Sequence, residues 1–264
     1  VKFGADDTWT LFHSYSFDYS VWEIWGCLLY GGTLVIVPDE ARQDPALLYD
    51  LLEQQSVSIL NLTPSNMQRL LPQVTKKHGF PGSLRALCCG AEAFPNTLVA
   101  PLTEHGIPVW NFYGPTEATV WSSIYRVKPE DSALAAIPIG IPLANYQLQI
   151  LDDQQQTAPL GVVGELYIGG AGISSGYVNR PELNDSHFIT INGGLRYRTG
   201  DLAKYHPNGD IEFLGRRDFQ VKIRGFRIEL GEIESLLTHH KLISQAVISK
   251  YQDSNTEYLV AYLV

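Results

Sequence analysis

The sequence predicts an α/β fold: parallel αβ layers, then a small antiparallel β-barrel, then the start of a C-terminal α+β subdomain. Three observations carry this. Up to about residue 137, short apolar runs alternate with segments of helical period, which implies a mainly parallel sheet covered on both faces. Beyond about Pro138, apolar and polar residues alternate singly, the pattern of half-exposed antiparallel strands. The 264 residues are 45% hydrophobic, which suffices for a substantial core in one large domain or two smaller ones.

In "SVWEIWGCLLYGG", Ser20 and Glu23 have the spacing of a capping box and Gly31-Gly32 closes the pattern, so a helix is predicted over 21–30. "TLVIVP" follows as a buried strand. Asp44-Pro45 sets an N-cap before a Pro at the first helical position and starts a helix that runs to about Gln55. "VSILNL" reads as the next strand, "SNMQRLL" as a short helix and "LRALCC" as another strand. Residues 96–105 have helical character, and "IPVWNF" and "WSSIYRV" read as strands flanking a turn. Then "YQLQILD", "VGELYIGG", "LAKYHPNGDIEFLG" and "FQVKIRGFRIEL" alternate, with Asn208-Gly209 as a hairpin turn. "GEIESLLTHH" reads as a helix, and "QAVISKY" and "EYLVAYLV" as two final strands.

A net charge of -9 argues against broad binding to nucleic acid or an anionic membrane, because phosphate attraction needs a basic face. The three cysteines, Cys27, Cys88 and Cys89, are odd in number and two are adjacent in an apolar run, which fits reduced core residues in a cytoplasmic protein. No apolar stretch approaches ~20 residues, so no membrane span is expected. The start, "VKFGADDTWT", is neither a signal peptide nor opened by Met, and it reads as the middle of a domain.

Ligands of open parallel sheets bind beyond the carboxyl ends of the strands. Three runs fall at such ends: "NLTPS" (61–65), "CCGAEA" (88–93) and "NFYGPTEA" (111–118). By itself "GPTE" is a turn whose Thr116 caps a helix; three such loops at one sheet edge point to a site. Further on, Arg216, Arg217, Lys222, Arg224 and Arg227 stand against one acid, Asp218, a local +4 in an acidic protein. That run is either a solvated strand face or a site for a phosphate-bearing ligand.

Five runs in order, "FDYSVWEIWGCLLYGGTLVIVP", "NFYGPTEATVW", "GELYIGGAGISSGYVNRPELN", "YRTGDLAKY" and "GRRDFQVKIRGFRIELGEIE", resemble successive signatures of the adenylate-forming enzymes. More narrowly, they resemble the amino-acid adenylation domains of nonribosomal peptide synthetases, collinearly over essentially the whole chain. The resemblance implies a two-step reaction. A carboxylate attacks the α-phosphate of ATP to give an acyl-adenylate and pyrophosphate, with Mg²⁺ neutralising phosphate charge. The acyl group then passes to the phosphopantetheine thiol of a carrier domain, beside a condensation domain of the same synthetase.

The resemblance also implies roles. Tyr113 would lie on the adenine face, Asn111 would bond its edge, and Gly90, Ala91 and Glu92 would wall the slot. Gly114 turns the backbone, Thr116 would contact phosphate and Glu117 would hold Mg²⁺ through oxygen. Asp201 would accept both ribose hydroxyls with Arg216 assisting, and His13 would lie near the reacting carboxylate. Asp18 would pair with the substrate ammonium; acid-activating relatives generally lack it. The remaining pocket positions are Tyr19, Trp22, Asn61, Leu87, Cys89, Phe112, Val120 and Trp121. Their four aromatics fill space and imply a compact neutral amino acid such as threonine, serine, cysteine or glycine. Asp218 matches a hinge, so residues 1–217 would form a partial N-terminal subdomain and 218–264 the hinge and a partial C-terminal lid.

Two family parts are expected outside the chain. A Gly/Ser/Thr-rich phosphate loop would precede Val1, and a late catalytic Lys would follow Val264. "IGGAGISSG" (168–176) has no following Lys and reads as a signature turn rather than that loop. This central slice is therefore expected to turn over little by itself. The alternatives are an acyl- or aryl-CoA ligase of the same superfamily and a non-catalytic nucleotide-binding remnant.

Overall fold

The computed structural model describes residues 2–223, 225–253 and 256–264. Its first layer comprises β1 (Thr8–Leu11), α1 (Tyr19–Leu28), β2 (Thr33–Ile36), α2 (Asp39–Gln43), α3 (Pro45–Gln54), β3 (Ile59–Leu62), α4 (Pro64–Lys76), β4 (Ala86–Cys89), α5 (Val99–Thr103), β5 (Val109–Tyr113), β6 (Ser123–Val127) and β7 (Ile141–Pro142). These strands form one sheet in the order β2-β1-β3-β4-β5-β6-β7. Its first five strands run parallel, and β6 and β7 add antiparallel. The parallel direction puts the loops after β3, β4 and β5 at one edge.

Two apolar layers hold this sheet. Leu48 and Leu52 of α3, Met67 and Leu70 of α4 and Leu102 of α5 pack with Leu60, Leu62, Leu87 and Cys89. Trp9, Tyr19, Cys27, Ile59, Ala86, Cys88 and Phe112 form the second cluster. Asp44 caps α3 by accepting from Ala46 N (2.8 Å), and Thr63 caps α4 by accepting from Asn66 N (3.3 Å). Each helix has Pro at its first position, and each such cap is worth ~1 kcal/mol.

The capping box expected of Ser20 and Glu23 does not form. The helix begins at Tyr19 with Asp18 at the N-cap, so Ser20 lies inside it. Glu23 is fully buried and turns instead to the end of β1, accepting from the backbone N–H groups of Phe12 (3.3 Å) and His13 (3.1 Å).

The second layer comprises β8 (Tyr146–Leu151), β9 (Gly164–Gly170), α6 (Pro181–His187), β10 (Phe188–Ile191), β11 (Gly194–Tyr205) and β12 (Ile211–Arg216). β8, β9 and β11 pair antiparallel in that order. The twelve-residue β11 then carries β10 along its first half and β12 along its second. Among the described residues β8 and β12 do not pair, so the expected barrel is an open five-stranded sheet. Closure would need those two edges to meet; β12 instead bridges Gly140 through Ile211, tying the sheet to the first layer.

The chain ends in β13 (Gln220–Ile223), β14 (Phe226–Glu229), α7 (Leu230–Thr238), β15 (Ala246–Asp253) and β16 (Thr256–Leu263). The two hairpins are separate two-stranded sheets. Arg224, one of the basic residues noted in the sequence, lies outside the described residues. Among those described, no helix is long and apolar enough to cross a membrane, and all three cysteines are buried with free thiols.

Candidate active site

The three strand-end loops open on a cleft of about 1070 Å³. Glu92, Asn111, Tyr113 and Gly114 line it from the parallel sheet, and Asp201, Arg216 and Lys222 face them. Asn111 is buried with its Nδ2 donating to Pro138 O (2.9 Å). Glu92 accepts from both N and Oγ of Ser65 (2.9 and 2.7 Å), while its Oε1 is buried without a partner. Gly90 lies beneath: a Cβ there would come within 2.4 Å of the Trp121 ring and 2.9 Å of Phe112 O, so only glycine fits under the indole.

The turn after β5 is tight and strained. A Cβ on Gly114 would lie 2.4 Å from Val120 O. Thr119 and Val120 have φ of 53° and 70°, costly for β-branched residues, and Ala91 has 69°. The glycine-rich run 168–176 and Tyr146 of β8 together clamp this turn. Thr119 Oγ1 donates to Gly172 O (2.6 Å), Ser174 N to Glu117 O (2.9 Å) and Tyr146 OH to Ala118 O (2.8 Å).

Two charged clusters lie near this turn: one on Asp201, which lines the cleft with Tyr113 and Arg216, and one on Glu117, whose side chains are not among that lining. Asp201 accepts from Tyr113 OH through one oxygen and from Arg216 Nη1 (2.8 Å) through the other. Arg216 also grips Asp218 with Nε (2.7 Å) and Nη2 (2.5 Å). Burial pushes the Asp201 carboxyl above its usual range, with the Arg216 charge opposing. Lys222 is pushed down by burial, and the Arg216 charge works the same way against Asp201.

The second cluster gathers on Glu117. Arg227 Nη1 reaches both its oxygens (2.8 and 3.0 Å), and Tyr177 OH donates to Oε1 (2.5 Å). Tyr177 OH lies 3.3 Å from Tyr197 OH. Burial pushes the Glu117 carboxyl up, but the Arg227 charge and the Tyr177 hydrogen bond together hold it below its ordinary value. Thr116, one residue earlier, donates through Oγ1 to Asp18, which brings the residue assigned to phosphate against the one assigned to an ammonium.

The other pocket positions divide. Tyr19 and Trp121 meet edge-on at 4.8 Å, Phe112 and Trp121 lie 5.4 Å apart, and Trp22 and Phe112 5.5 Å. Val120 joins this cluster. Trp22 Nε1 donates to Asn61 Oδ1 (2.7 Å), which leaves Asn61 Nδ2 buried and unpartnered. Leu87 and Cys89 are fully buried and belong to the larger core with Leu60 and Met67, because alternation along β4 sends Ala86 and Cys88 to the aromatic side. His13 stacks on Tyr19 (4.1 Å) and contacts Glu23 through Nδ1 (3.0 Å); it is not among the side chains that line the cleft.

Sequence reasoning missed Tyr177 and Tyr197, and it singled out Glu23 and Arg227 without finding their partners, the end of β1 and Glu117. The "GYVNRP" and "YRTGD" runs were visible, but a tyrosine in a strand or turn carries no signal of its carboxylate partner. Arg227 and Glu117 are 110 residues apart.

Residues 1–178 match the family model described as AMP-binding enzyme. Malpinin synthetase of Mortierella alpina is 42% identical over 97% of this chain and 3% of its own length. Among solved structures, an NRPS protein with adenylation and PCP domains, bound to a vinylsulfonamide inhibitor, superposes with TM-score 0.91 at 30% identity, over 100% of this chain and 46% of that one. The Vibrio cholerae adenylation domain AlmE, in complex with glycyl-adenosine-5'-phosphate, superposes with TM-score 0.89 at 31% identity, over 99% of this chain and 50% of that one. The chain thus spans at most about half the length of each of these proteins.

Proposed function

We propose, from the premise that this chain belongs to the AMP-binding enzyme family, that it supplies the adenosine and amino-acid sites of an AMP-forming ligase. The reaction is activation of an α-amino acid by ATP as its aminoacyl-adenylate, with release of pyrophosphate. Transfer to a phosphopantetheine thiol on a carrier domain follows, in a cytoplasmic nonribosomal peptide synthetase that also has a condensation domain. The observation that carries this reading is the meeting of Tyr113, Asp201 and Arg216 at the cleft. An aromatic face and an acceptor-rich carboxylate are what a nucleoside needs, since its base stacks and its hydroxyls donate.

Residues 1–217 act as the nucleotide-binding body and 218–264 as a lid that turns about Asp218. The separate β13–β14 and β15–β16 hairpins, which share no strand with the body, support that division. The ring contacts among Tyr19, Trp22, Phe112 and Trp121 support a compact neutral substrate, as does the glycyl-adenylate bound by the AlmE domain. Asp18 receives the substrate ammonium once Thr116 releases it.

Glu117 is the carboxylate assigned to Mg²⁺. As placed here it does not fit a divalent cation: Arg227 and Tyr177 hold its oxygens. Among the described residues, no group of three or more His, Cys, Asp or Glu comes together to hold a metal.

Calorimetric titration of the chain with AMP and with nonhydrolysable acyl-adenylate analogues tests the reading. AMP and the glycyl or seryl analogue should bind, the arginyl and tryptophanyl analogues far more weakly. Failure of AMP to bind overturns the nucleotide site. Equal binding of an acyl analogue without the ammonium overturns the role of Asp18 and favours an acyl- or aryl-CoA ligase.

A further inference from the structure

The turn after β5 carries two of the pocket residues, Val120 and Trp121, and it is held from outside. Thr119 and Val120 both lie in the left-handed region, with φ of 53° and 70°. Branched side chains avoid that region, so it persists only where the surroundings impose it. Three consecutive residues of the turn are bonded to the second sheet. Glu117 O accepts from Ser174 N (2.9 Å), Ala118 O accepts from Tyr146 OH (2.8 Å), and Thr119 Oγ1 donates to Gly172 O (2.6 Å). The holding piece is itself fixed: Tyr146 pairs with Gly170 across β8 and β9, and Ala171 N donates to Asn145 O (3.1 Å). A Cβ on Gly172 would overlap Tyr146 OH, so the glycine lets the run come against the tyrosine.

Trp121 is 6% exposed, yet its Nε1 has no hydrogen-bond partner among the described residues. Its indole is placed by the backbone and by packing alone: edge-on to Tyr19 at 4.8 Å, 5.4 Å from Phe112 and over Gly90. A shift of residues 119 and 120 out of the left-handed region would swing the ring, and no polar contact would draw it back. Tyr113 is anchored separately, by its ladder pairing with Ser123 and its hydrogen bond to Asp201. We propose that Tyr146 and Thr119 are positioning residues for substrate selection. They tie the strained turn to the second sheet and thereby fix Trp121 as the wall that keeps large side chains out. Both act through the turn rather than by touching the substrate. The inference rests on Val120 and Trp121 lining the amino-acid pocket.

The test uses the whole chain and calorimetric titration with AMP, the glycyl-adenylate analogue and the tryptophanyl-adenylate analogue. Tyr146→Phe and Thr119→Val each remove one hydrogen bond and leave the pocket's own side chains in place. In each, the preference for the glycyl over the tryptophanyl analogue should fall about tenfold, the worth of roughly one hydrogen bond. AMP affinity should stay within about twofold, because the clamp shares no partner with Tyr113 or Asp201. Thr119→Ser keeps the hydroxyl and should select as the parent does. A preference unchanged in either removal, or lost in Thr119→Ser, refutes the inference. So does an equal loss of all three ligands in step with a lower melting point, which is what a purely structural bond would give. A parent chain that binds both analogues alike fails the pocket reading itself and takes the inference with it.

Discussion

Asp201→Asn removes a charge from the cleft while keeping the shape of the side chain. An ionised carboxylate has about four lone-pair sites. In this structure Tyr113 OH takes one on one oxygen and Arg216 takes one on the other. One site on each oxygen is left, which matches two neighbouring ribose hydroxyls. Hydrogen bonds to a charged acceptor are worth ~1.5–3 kcal/mol and neutral ones ~0.5–1.5. Losing the charge under two such bonds should therefore cost about 2–3 kcal/mol of nucleotide binding, or roughly 30- to 150-fold in Kd at 1.4 kcal/mol per decade. The fold should tolerate the change, because Arg216 keeps its two-point contact with Asp218 and Tyr113 can donate to the amide oxygen. The assay is calorimetric titration with AMP, repeated with 2',3'-dideoxy-AMP. The dideoxy nucleotide should bind parent and variant alike, since it lacks the donors. An AMP affinity within threefold of the parent would refute the assignment. So would a loss of equal size with the dideoxy compound, which would point to a general electrostatic or folding effect.

Three further expectations follow from the same contacts. Glu23→Ala leaves two backbone N–H groups and the His13 ring without their acceptor, at ~1–3 kcal/mol per group. The thermal midpoint should fall by roughly 6 °C or more, and an unchanged melt would show that water replaces the carboxylate. Trp121→Ala should cost ~3–5 kcal/mol of stability and shift analogue binding towards larger side chains; an unaltered rank order would remove Trp121 from the pocket. The pH dependence has a defined sign. Asp7, bonded to Arg85, and Glu117 both have depressed carboxyl values in the fold. Their contribution is present above the unfolded values of 3.8 and 4.5 and is lost as pH falls through the lower folded values. Asp201, which is raised, has the opposite sign: its contribution is present below 3.8 and lost as pH rises through its folded value. Melts between pH 6 and pH 3 should therefore fall steeply at the acid end, and Asp7→Asn should flatten that fall.

Periodicity and turn chemistry determine the elements because those signals are local. The helices opened by Asp44-Pro45 and Thr63-Pro64 carry their caps within three residues, and the apolar runs 59–62 and 86–89 are buried on both faces and legible as such. The Asn208-Gly209 hairpin closes β11 onto β12 for the same reason. The parallel order of β3, β4 and β5 then brings the three loops to one edge, so the place of the cleft was readable before any side chain was placed. Partner choice was not readable. Ser20 and Glu23 have the spacing of a capping box, yet a buried glutamate gains more by satisfying the open N–H groups at the end of β1 than by capping its own helix. Whether an alternating sheet closes into a barrel depends on which edges meet across the fold, and here Gly140 reaches β12 first. The pairing of Glu117 with Arg227 joins residues 110 apart, and no local pattern encodes it. Charge satisfaction in a buried site is settled among all groups that the fold brings within a few ångströms, and only the tertiary structure says which those are.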